Sequence, residues 1–561
     1  MKNMKKTFQI SFFALSLLFS AISVSAQTIS NHFFGQNAWM PYAVGGTILG
    51  GQLDKHWGDI KNSNASIIRY GGIAADKDMP TNAQYISIID SMRANGLEPI
   101  IQVPFYNNRY TAQQAADIVT YINVTKERHI KYWIIGNEPE FSYSFTTSAQ
   151  IANYFRPFAS AMKSVDPSIL IVGPECAEFN QNIINGLTTP NGPDDITGKD
   201  VAGRYYLDVI SFHTYPFNGT QTRTQVISKL TSSGSLQDNL IYLNSRVAAC
   251  NSAHGRTGAA ILKTAITETN IDYQNSASDN LQGVGANSFL GGQFIAEILG
   301  IGMKNGLDFI NLWSVAEGNG VTTNIGYIDP TTGNKKPEYY HFQLLAQNFK
   351  GTAVNCTTNL PNIKSFGSQN GQQVSVLILN EDLAGTYNYT VRLNTAAIAG
   401  TNPLKINVNA GVAVEYTGSI SNQSSTLLIF NAQGQIVKKY EYSLTGNAMA
   451  NLAPTVTEFS ATGVASVGND GGVFELRNIY PNPSVGKFTI ALNKGSAAAE
   501  QDIEVQFINI LGQEVYLKKY TFEKGKEEIE LPPDIASGTY IVRVKEGEQD
   551  NYLTKKIIIV K

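Results

Sequence analysis

Between residues 31 and 350, short β-branched or apolar runs alternate with longer amphipathic stretches, and this alternation constrains the fold more than any other feature of the chain. Strand-like runs lie at 33–38, 66–70, 99–103, 132–137, 169–173, 207–212, 264–267 and 309–313. Helical periodicity occupies 83–95, 111–122, 148–165, 236–253 and 288–305 between them. Such alternation implies parallel strands joined by right-handed crossovers. Eight strand units in about 320 residues fit a (β/α)8 TIM barrel better than an open doubly wound sheet. No G-x-G-x-x-G follows the first strand, which counts against dinucleotide binding.

A chain of 561 residues exceeds what one core holds, so further domains are expected. After residue 351 the helical period gives way to short alternating strands at 374–379, 387–393, 404–407, 413–416 and 426–430, which predict a β-sandwich side domain over 351–446. A linker rich in Ala, Gly, Ser and Asn follows at 447–472, then a second small strand-patterned β-sandwich block at 473–561. At the other end, Lys2, Lys5 and Lys6 precede an apolar run over 12–22 and the small residues Val24-Ser25-Ala26. That pattern predicts a secretory signal at 1–26, with the barrel over 27–350. No later run reaches about 18 apolar residues, so no membrane span is expected in the mature form. The net charge of −3 gives no basic face for a nucleic acid. Cys176, Cys250 and Cys356 are too few and scattered for a disulfide framework or a thiolate metal site; one disulfide or three free thiols remain open.

A (β/α)8 barrel carries its chemistry where strands end, because the βα loops converge on one mouth. The fourth strand ends in Gly136-Asn137-Glu138-Pro139-Glu140 and the seventh in Thr267-Glu268-Thr269-Asn270. Strands four and seven lie across the mouth from each other, so Glu138 and Glu268 can face a bond held between them. Retaining glycoside hydrolysis needs that arrangement, with carboxyl groups about 5–5.5 Å apart. Repulsion between the two acids keeps one protonated, which separates their roles. Glu140 and Glu178 are rivals that complete no strand-end pair. No His/Asp/Cys cluster has metal-ligand spacing, so neither metal nor cofactor is expected.

The Asn-Glu-Pro on strand four, the glutamate on strand seven, His213-Thr214-Tyr215 after strand six, Trp313 ending strand eight and Arg69-Tyr70-Gly71-Gly72 after strand two resemble clan A retaining glycoside hydrolases. The resemblance implies Glu138 as acid/base and Glu268 as nucleophile. It implies that Asn137 bonds the sugar 2-hydroxyl, that Arg69 and Tyr215 hold Glu268 ionised and aligned, and that His213 lies at the pocket rim. Trp313 would be the platform under the sugar. Trp39, Tyr106, Asn107, Glu175 and Glu317, near strand ends, are further candidates for substrate contact. The final block, with Tyr480-Pro481-Asn482-Pro483, Ile510-Leu511-Gly512, Ser537-Gly538-Thr539-Tyr540 and a Lys-rich last strand, resembles the sorting domain of the Bacteroidetes type IX secretion system. Its expected partners are therefore that machinery and an extracellular carbohydrate, in a secreted or surface-attached enzyme. Endo attack on a β-1,4-linked plant polymer is expected, glucan first and mannan or xylan next. An exo-acting β-xylosidase, arabinofuranosidase or β-glucuronidase type is the alternative. A non-catalytic carbohydrate-binding surface protein is the reading from another class.

Overall fold

The computed structural model describes residues 27–38, 53–275, 279–317 and 324–459, and nearer the C-terminus 475–480, 482, 484–493, 502–509, 513–521, 526–546 and 553–560. The expected signal at 1–26 and Trp39 lie outside the described residues. The chain divides into two compact units, Met1–Thr457 and Glu458–Lys561.

Eight parallel strands close into a barrel: β1 (Phe34–Asn37), β2 (Ile67–Tyr70), β3 (Glu98–Val103), β4 (Tyr132–Ile135), β5 (Leu170–Cys176), β6 (Val209–Thr214), β7 (Lys263–Thr269) and β8 (Phe309–Leu312). Each falls on an expected run, and β8 returns to pair with β1. Inside the barrel, Ile67, Ile100, Tyr132, Ile134, Val172, Val209, Ala265 and Phe309 form an apolar layer. Side chains alternate along a strand, so two residues further on the same faces carry Arg69, Gln102, Ser211 and Thr267, and then His213. The interior is thus apolar at one end and charged at the C-terminal end.

Register shifts in β5 and β7 break this alternation. In β5, Pro174 and Cys176 are both paired with consecutive residues of β6, which leaves Glu175 as the extra residue of a bulge with φ 61°. In β7, Ile266 and Glu268 face Phe212 and His213, so Thr267 is the extra residue. A bulge re-aims the side chains beside it.

The helices over Ser148–Val165 and Leu236–Ala253 have the expected bounds, whereas the stretch expected over 111–122 is α-helical to Val119 and continues as a π-turn over Thr120–Thr125. Thr81, Thr111, Thr147 and Thr222 each cap a helix reciprocally with a glutamine three residues on, so the helix starts are written locally in the chain.

The side domain packs a four-stranded sheet (Cys356–Thr358, Leu404–Val408, Tyr387–Arg392, Glu415–Ile420) on a six-stranded one (Thr455–Glu458, Ile436–Ser443, Ser424–Asn431, Gln373–Asn380, Ile363–Gln369, Thr352–Val354). The linker expected from 447 is corrected in part: Thr455–Glu458 is an edge strand, and residues 460–474 lie outside the described ones. Ile436–Ser443, Ile-Val-Lys-Lys-Tyr-Glu-Tyr-Ser, is half-buried nearly throughout and shows little apolar alternation. Barrel and side domain share one core: the helix Phe289–Lys304 is buried at every position but its last. Its Gln293 Nε2 donates to the carbonyls of Asn380 (3.2 Å) and Ser424 (3.0 Å). Gly300 lets the sheet approach, since a Cβ there would sit 2.2 Å from the ring of Phe366.

In the second unit, a three-stranded sheet (Glu475–Tyr480, Lys487–Asn493, Lys526–Glu530) and a four-stranded sheet (Glu514–Thr521, Asp502–Asn509, Gly538–Glu546, Leu553–Ile559) enclose Phe488, Ile490, Val505, Phe507, Val542 and Ile557. Ser537-Gly538-Thr539-Tyr540 opens the third strand of the latter, while Pro481, Pro483 and 510–512 lie outside the described residues. Cys176, Cys250 and Cys356 are free thiols on β5, a barrel helix and a sandwich strand.

Two glycine-to-alanine changes in helices should have opposite signs. A methyl group at Gly58 would meet nothing within 4 Å, so Gly58→Ala should stabilise by up to about 1 kcal/mol. Gly300→Ala forces Phe366 aside and should destabilise by about 1–3 kcal/mol. Thermal unfolding of the two variants against the parent checks both.

Candidate active site

The residues at the charged end of the barrel are held by one fully buried cation. Arg69 Nη1 donates to Glu268 Oε1 at 2.7 Å and to Asn37 Oδ1 at 3.0 Å. Its Nη2 meets Glu175 Oε2 at 3.0 Å and Asn137 Oδ1 at 2.9 Å. Arg69 therefore joins β1, β2, β5 and β7 with the turn after β4, and the fork of its guanidinium fixes which carboxylate stands where. Arg69 points inward because Ile67, two residues earlier, does. The glycines after it clear the space: Gly72 has φ 99°, and a Cβ there would lie 3.2 Å from the Trp313 ring and 3.8 Å from Glu268 Oε1.

Glu268 is nearly buried and doubly held, its Oε2 accepting from Tyr215 Oη at 2.9 Å. Burial and then the charge of Glu268 push the Tyr215 phenol well up, so it stays a donor. Glu138 is different. It caps the short helix Pro139–Ser142 with φ 47°, its side chain is 18% exposed, and its Oε1 lies 2.8 Å from His213 Nδ1. One oxygen of Glu138, one of Glu268 and a ring nitrogen of His213 all lie within 4.8 Å of one another.

His213 corrects an expectation. Rather than lying at the rim, it is fully buried beneath the carboxylates, its Nε2 3.3 Å from Glu175 Oε2 and its Nδ1 3.6 Å from Glu268 Oε2. The signal was present in β6, where Val209, Ser211 and His213 share the inward face. Burial alone would push the imidazole down, but the charge of Glu268 and the hydrogen bonds to Glu138 and Glu175 outweigh it and hold His213 at about 10.

Glu175 is also corrected: fully buried, it cannot reach a substrate. Burial would raise its carboxyl, yet the charge of Arg69 and then His213 and Ser211 hold it down at about 2. Asn137 has its Oδ1 occupied by Arg69, which leaves its amide hydrogens for a ligand, and Trp313 lies half-buried over Gly72. Tyr106 and Asn107 stand on the loop after β3, Tyr106 edge-on to Tyr143 at 6.5 Å and Asn107 exposed. Glu317 is buried, its Oε2 accepting from Ile325 N at 2.8 Å across the loop after β8. Glu140 Oε2 accepts from Ala177 N at 3.2 Å, and Glu178 is exposed.

Some supporting residues escape a reading of the sequence. Asn37, Gln102, Ser211 and Thr267 are polar residues inside apolar strands, which is itself a signal. Asp76 and Tyr143 carry none: Tyr143 Oη donates to Asp76 and accepts from Asn137 N at 2.9 Å, which fixes the turn bearing Glu138. Burial pushes Asp76 up to about 6 against these hydrogen bonds.

Known proteins share parts of this arrangement. Residues 478–560 match the family described as the secretion system C-terminal sorting domain. The chain is therefore addressed to type IX secretion and is secreted or attached to the cell surface. Among curated proteins, an ulvan lyase from Nonlabens ulvanivorans is 33% identical over 108 residues, 19% of this chain and 17% of that enzyme's length. Among solved structures, a family 51 α-L-arabinofuranosidase from Bifidobacterium longum matches 72% of this chain and 96% of its own, at 14% identity and a TM-score of 0.52. A family 44 xyloglucanase from Paenibacillus polymyxa matches 72% and 97%, at 13% identity and a TM-score of 0.49. The chain thus has a (β/α)8 barrel fold, the fold class its strand pattern predicts.

The buried charges should be visible in stability against pH. Glu175 lies below its ordinary 4.5, so its contribution is complete above that pH and lost as pH falls toward 2. His213 lies above its ordinary 6.5, so its contribution is complete below 6.5 and lost as pH rises toward 10. The difference in thermal midpoint between wild type and His213→Gln should be largest below 6.5 and close toward 10. A difference that stays flat over that range would mean a neutral His213.

Proposed function

We infer that the chain is a secreted retaining glycoside hydrolase in which Glu268 is the nucleophile and Glu138 the acid/base. The observation that carries this reading is the approach of the two carboxylates, with oxygens within 4.8 Å. Inverting hydrolysis needs carboxyl groups about 6.5–9.5 Å apart to admit a water, whereas direct attack needs about 5–5.5 Å. The different surroundings support the division of roles. Glu268, clamped by Arg69 and Tyr215, is held as an aligned carboxylate. Glu138, partly open, is free to exchange protons with a substrate oxygen.

In the first step a Glu268 oxygen attacks the anomeric carbon as the bond to the leaving oxygen breaks, and that oxygen takes the proton of Glu138. In the second, Glu138 as carboxylate takes a proton from water, whose oxygen displaces Glu268 and restores the free enzyme. Asn137 offers its amide hydrogens to the sugar, and Trp313 its ring face.

For the substrate we favour an endo-attacked β-1,4-linked plant polymer, glucan before mannan or xylan. Phe141, 81% exposed one turn beyond Glu138, and Tyr273, 50% exposed on the loop leaving β7, support a cleft that extends to both sides. Export by the type IX route supports a polymer met outside the cell. Exo attack of the arabinofuranosidase type is the second reading, favoured by the fold shared with the Bifidobacterium enzyme. An early fall in polymer viscosity favours the first, and release of single sugars without such a fall favours the second.

A 2-fluoro glycoside that traps the intermediate should label Glu268, as mapped by peptide mass spectrometry. Labelling elsewhere removes it as nucleophile. Glu138→Ala should lower kcat about 10²–10⁴-fold on poor leaving groups, far less on dinitrophenyl glycosides, with recovery by azide. Tyr215→Phe should cost about 10-fold or more in kcat/KM through loss of a hydrogen bond to a charged group.

A further inference from the structure

Glu175 is the one acid of this cluster for which the hydrolytic steps have no use. Its burial puts it beyond any substrate, yet it is fully engaged: Oε1 accepts from Thr267 Oγ1 at 2.8 Å and from Ser211 Oγ, while Oε2 faces Arg69 at 3.0 Å and His213 at 3.3 Å. It is also maintained at a cost. As the extra residue of the β5 bulge it adopts φ 61°, a left-handed conformation that penalises a side chain by about 1–2 kcal/mol. A buried carboxylate persists only where charge and hydrogen bonds compensate it.

We propose that Glu175 is a positioning residue of the hydrolytic site, the buried anion that offsets the charges of Arg69 and His213 so that Glu138 retains the proton it must deliver. This rests on the glycosidase reading above. Arg69 and His213 bring two positive charges, and Glu268 and Glu175 two negative ones, so the cluster is neutral when Glu138 carries its proton. With Glu175 neutralised, two cations face one committed anion. The cluster then sheds a proton, and the two candidates, His213 Nδ1 and Glu138 Oε1, are 2.8 Å apart. A single proton shared by that pair resides on the imidazole, the stronger base, and leaves Glu138 a carboxylate with nothing to give the leaving oxygen.

The test is Glu175→Gln in the full chain. The alkaline limb of kcat/KM on an aryl glycoside with a poor leaving group should move down by about one pH unit or more, a tenfold change in proton affinity. At pH 8 the rate on that substrate should fall by up to about tenfold for each unit the limb moves. On a dinitrophenyl glycoside, which departs without a proton, it should stay within about threefold. Selective histidine labelling and NMR titration should show His213 giving up its proton at correspondingly lower pH. Should Glu175→Gln not fold, the pair Ser211→Ala and Thr267→Val keeps the charge but strips Oε1 of its donors, and should move the same limb the same way by less. Equal losses on both leaving groups with an unmoved limb would reduce Glu175 to packing and overturn the proposal. So would an unchanged His213 titration, whatever the activity. A wild-type chain that hydrolyses no glycoside, yet shows the His213 shift in Glu175→Gln, would overturn the glycosidase reading and leave the charge coupling standing.

Discussion

The charged end of the barrel is organised by the guanidinium of Arg69, which is fully buried and shared between two carboxylates. A cation in that position is tolerable only because both anions are present, and each anion is tolerable only because of the cation. The planar fork adds direction to charge. One amino group is committed to Glu268 and Asn37, the other to Glu175 and Asn137, so strands far apart in sequence are referred to one rigid centre. Glu268 is placed by this buried lattice, which is anchored on strands rather than on loops.

That lattice needs a dry floor. The apolar layer from Ile67 to Phe309 keeps water from the charged end and raises the strength of every interaction above it. The switch from apolar to charged or polar occurs within two residues on β2, β3, β6 and β7, which is the least that strand alternation allows. Outside the barrel, the shared core with the side domain steadies the β7–β8 quarter, because the helix Phe289–Lys304 connects those two strands and is buried against both domains.

Most of this is legible in the chain. The eight strand runs, the Thr-x-x-Gln helix starts and the acids at the ends of β4 and β7 depend on local pattern, and local pattern is what a sequence displays. The inward direction of His213 is legible too, by counting from Val209, although the family resemblance alone puts it at the rim. Glu175 is not legible. Strict alternation from Val172 through Pro174 sends residue 175 outward, and only the bulge with φ 61° turns it into the barrel. Ile436–Ser443 and Thr455–Glu458 escape for the opposite reason, since strands with half-wet or edge positions lack the alternation that marks a strand.

The two catalytic candidates show why such non-local features matter. Glu138 and Glu268 are the same residue type at equivalent strand ends, and nothing in their immediate neighbours assigns one to attack and the other to protonation. In the proposed mechanism the assignment comes from partners 53 to 199 residues away along the chain: Arg69 and Tyr215 for Glu268, and His213 for Glu138. Opposed roles require opposed environments. A fixed cation and a neutral donor commit one carboxylate to its charge, whereas a titratable cation leaves the other able to change state within a catalytic cycle. Conversion of His213 to a permanent cation would remove that latitude, and its conversion to a neutral donor would weaken the field that balances Glu268. An imidazole held charged by a third, buried acid satisfies both demands at once.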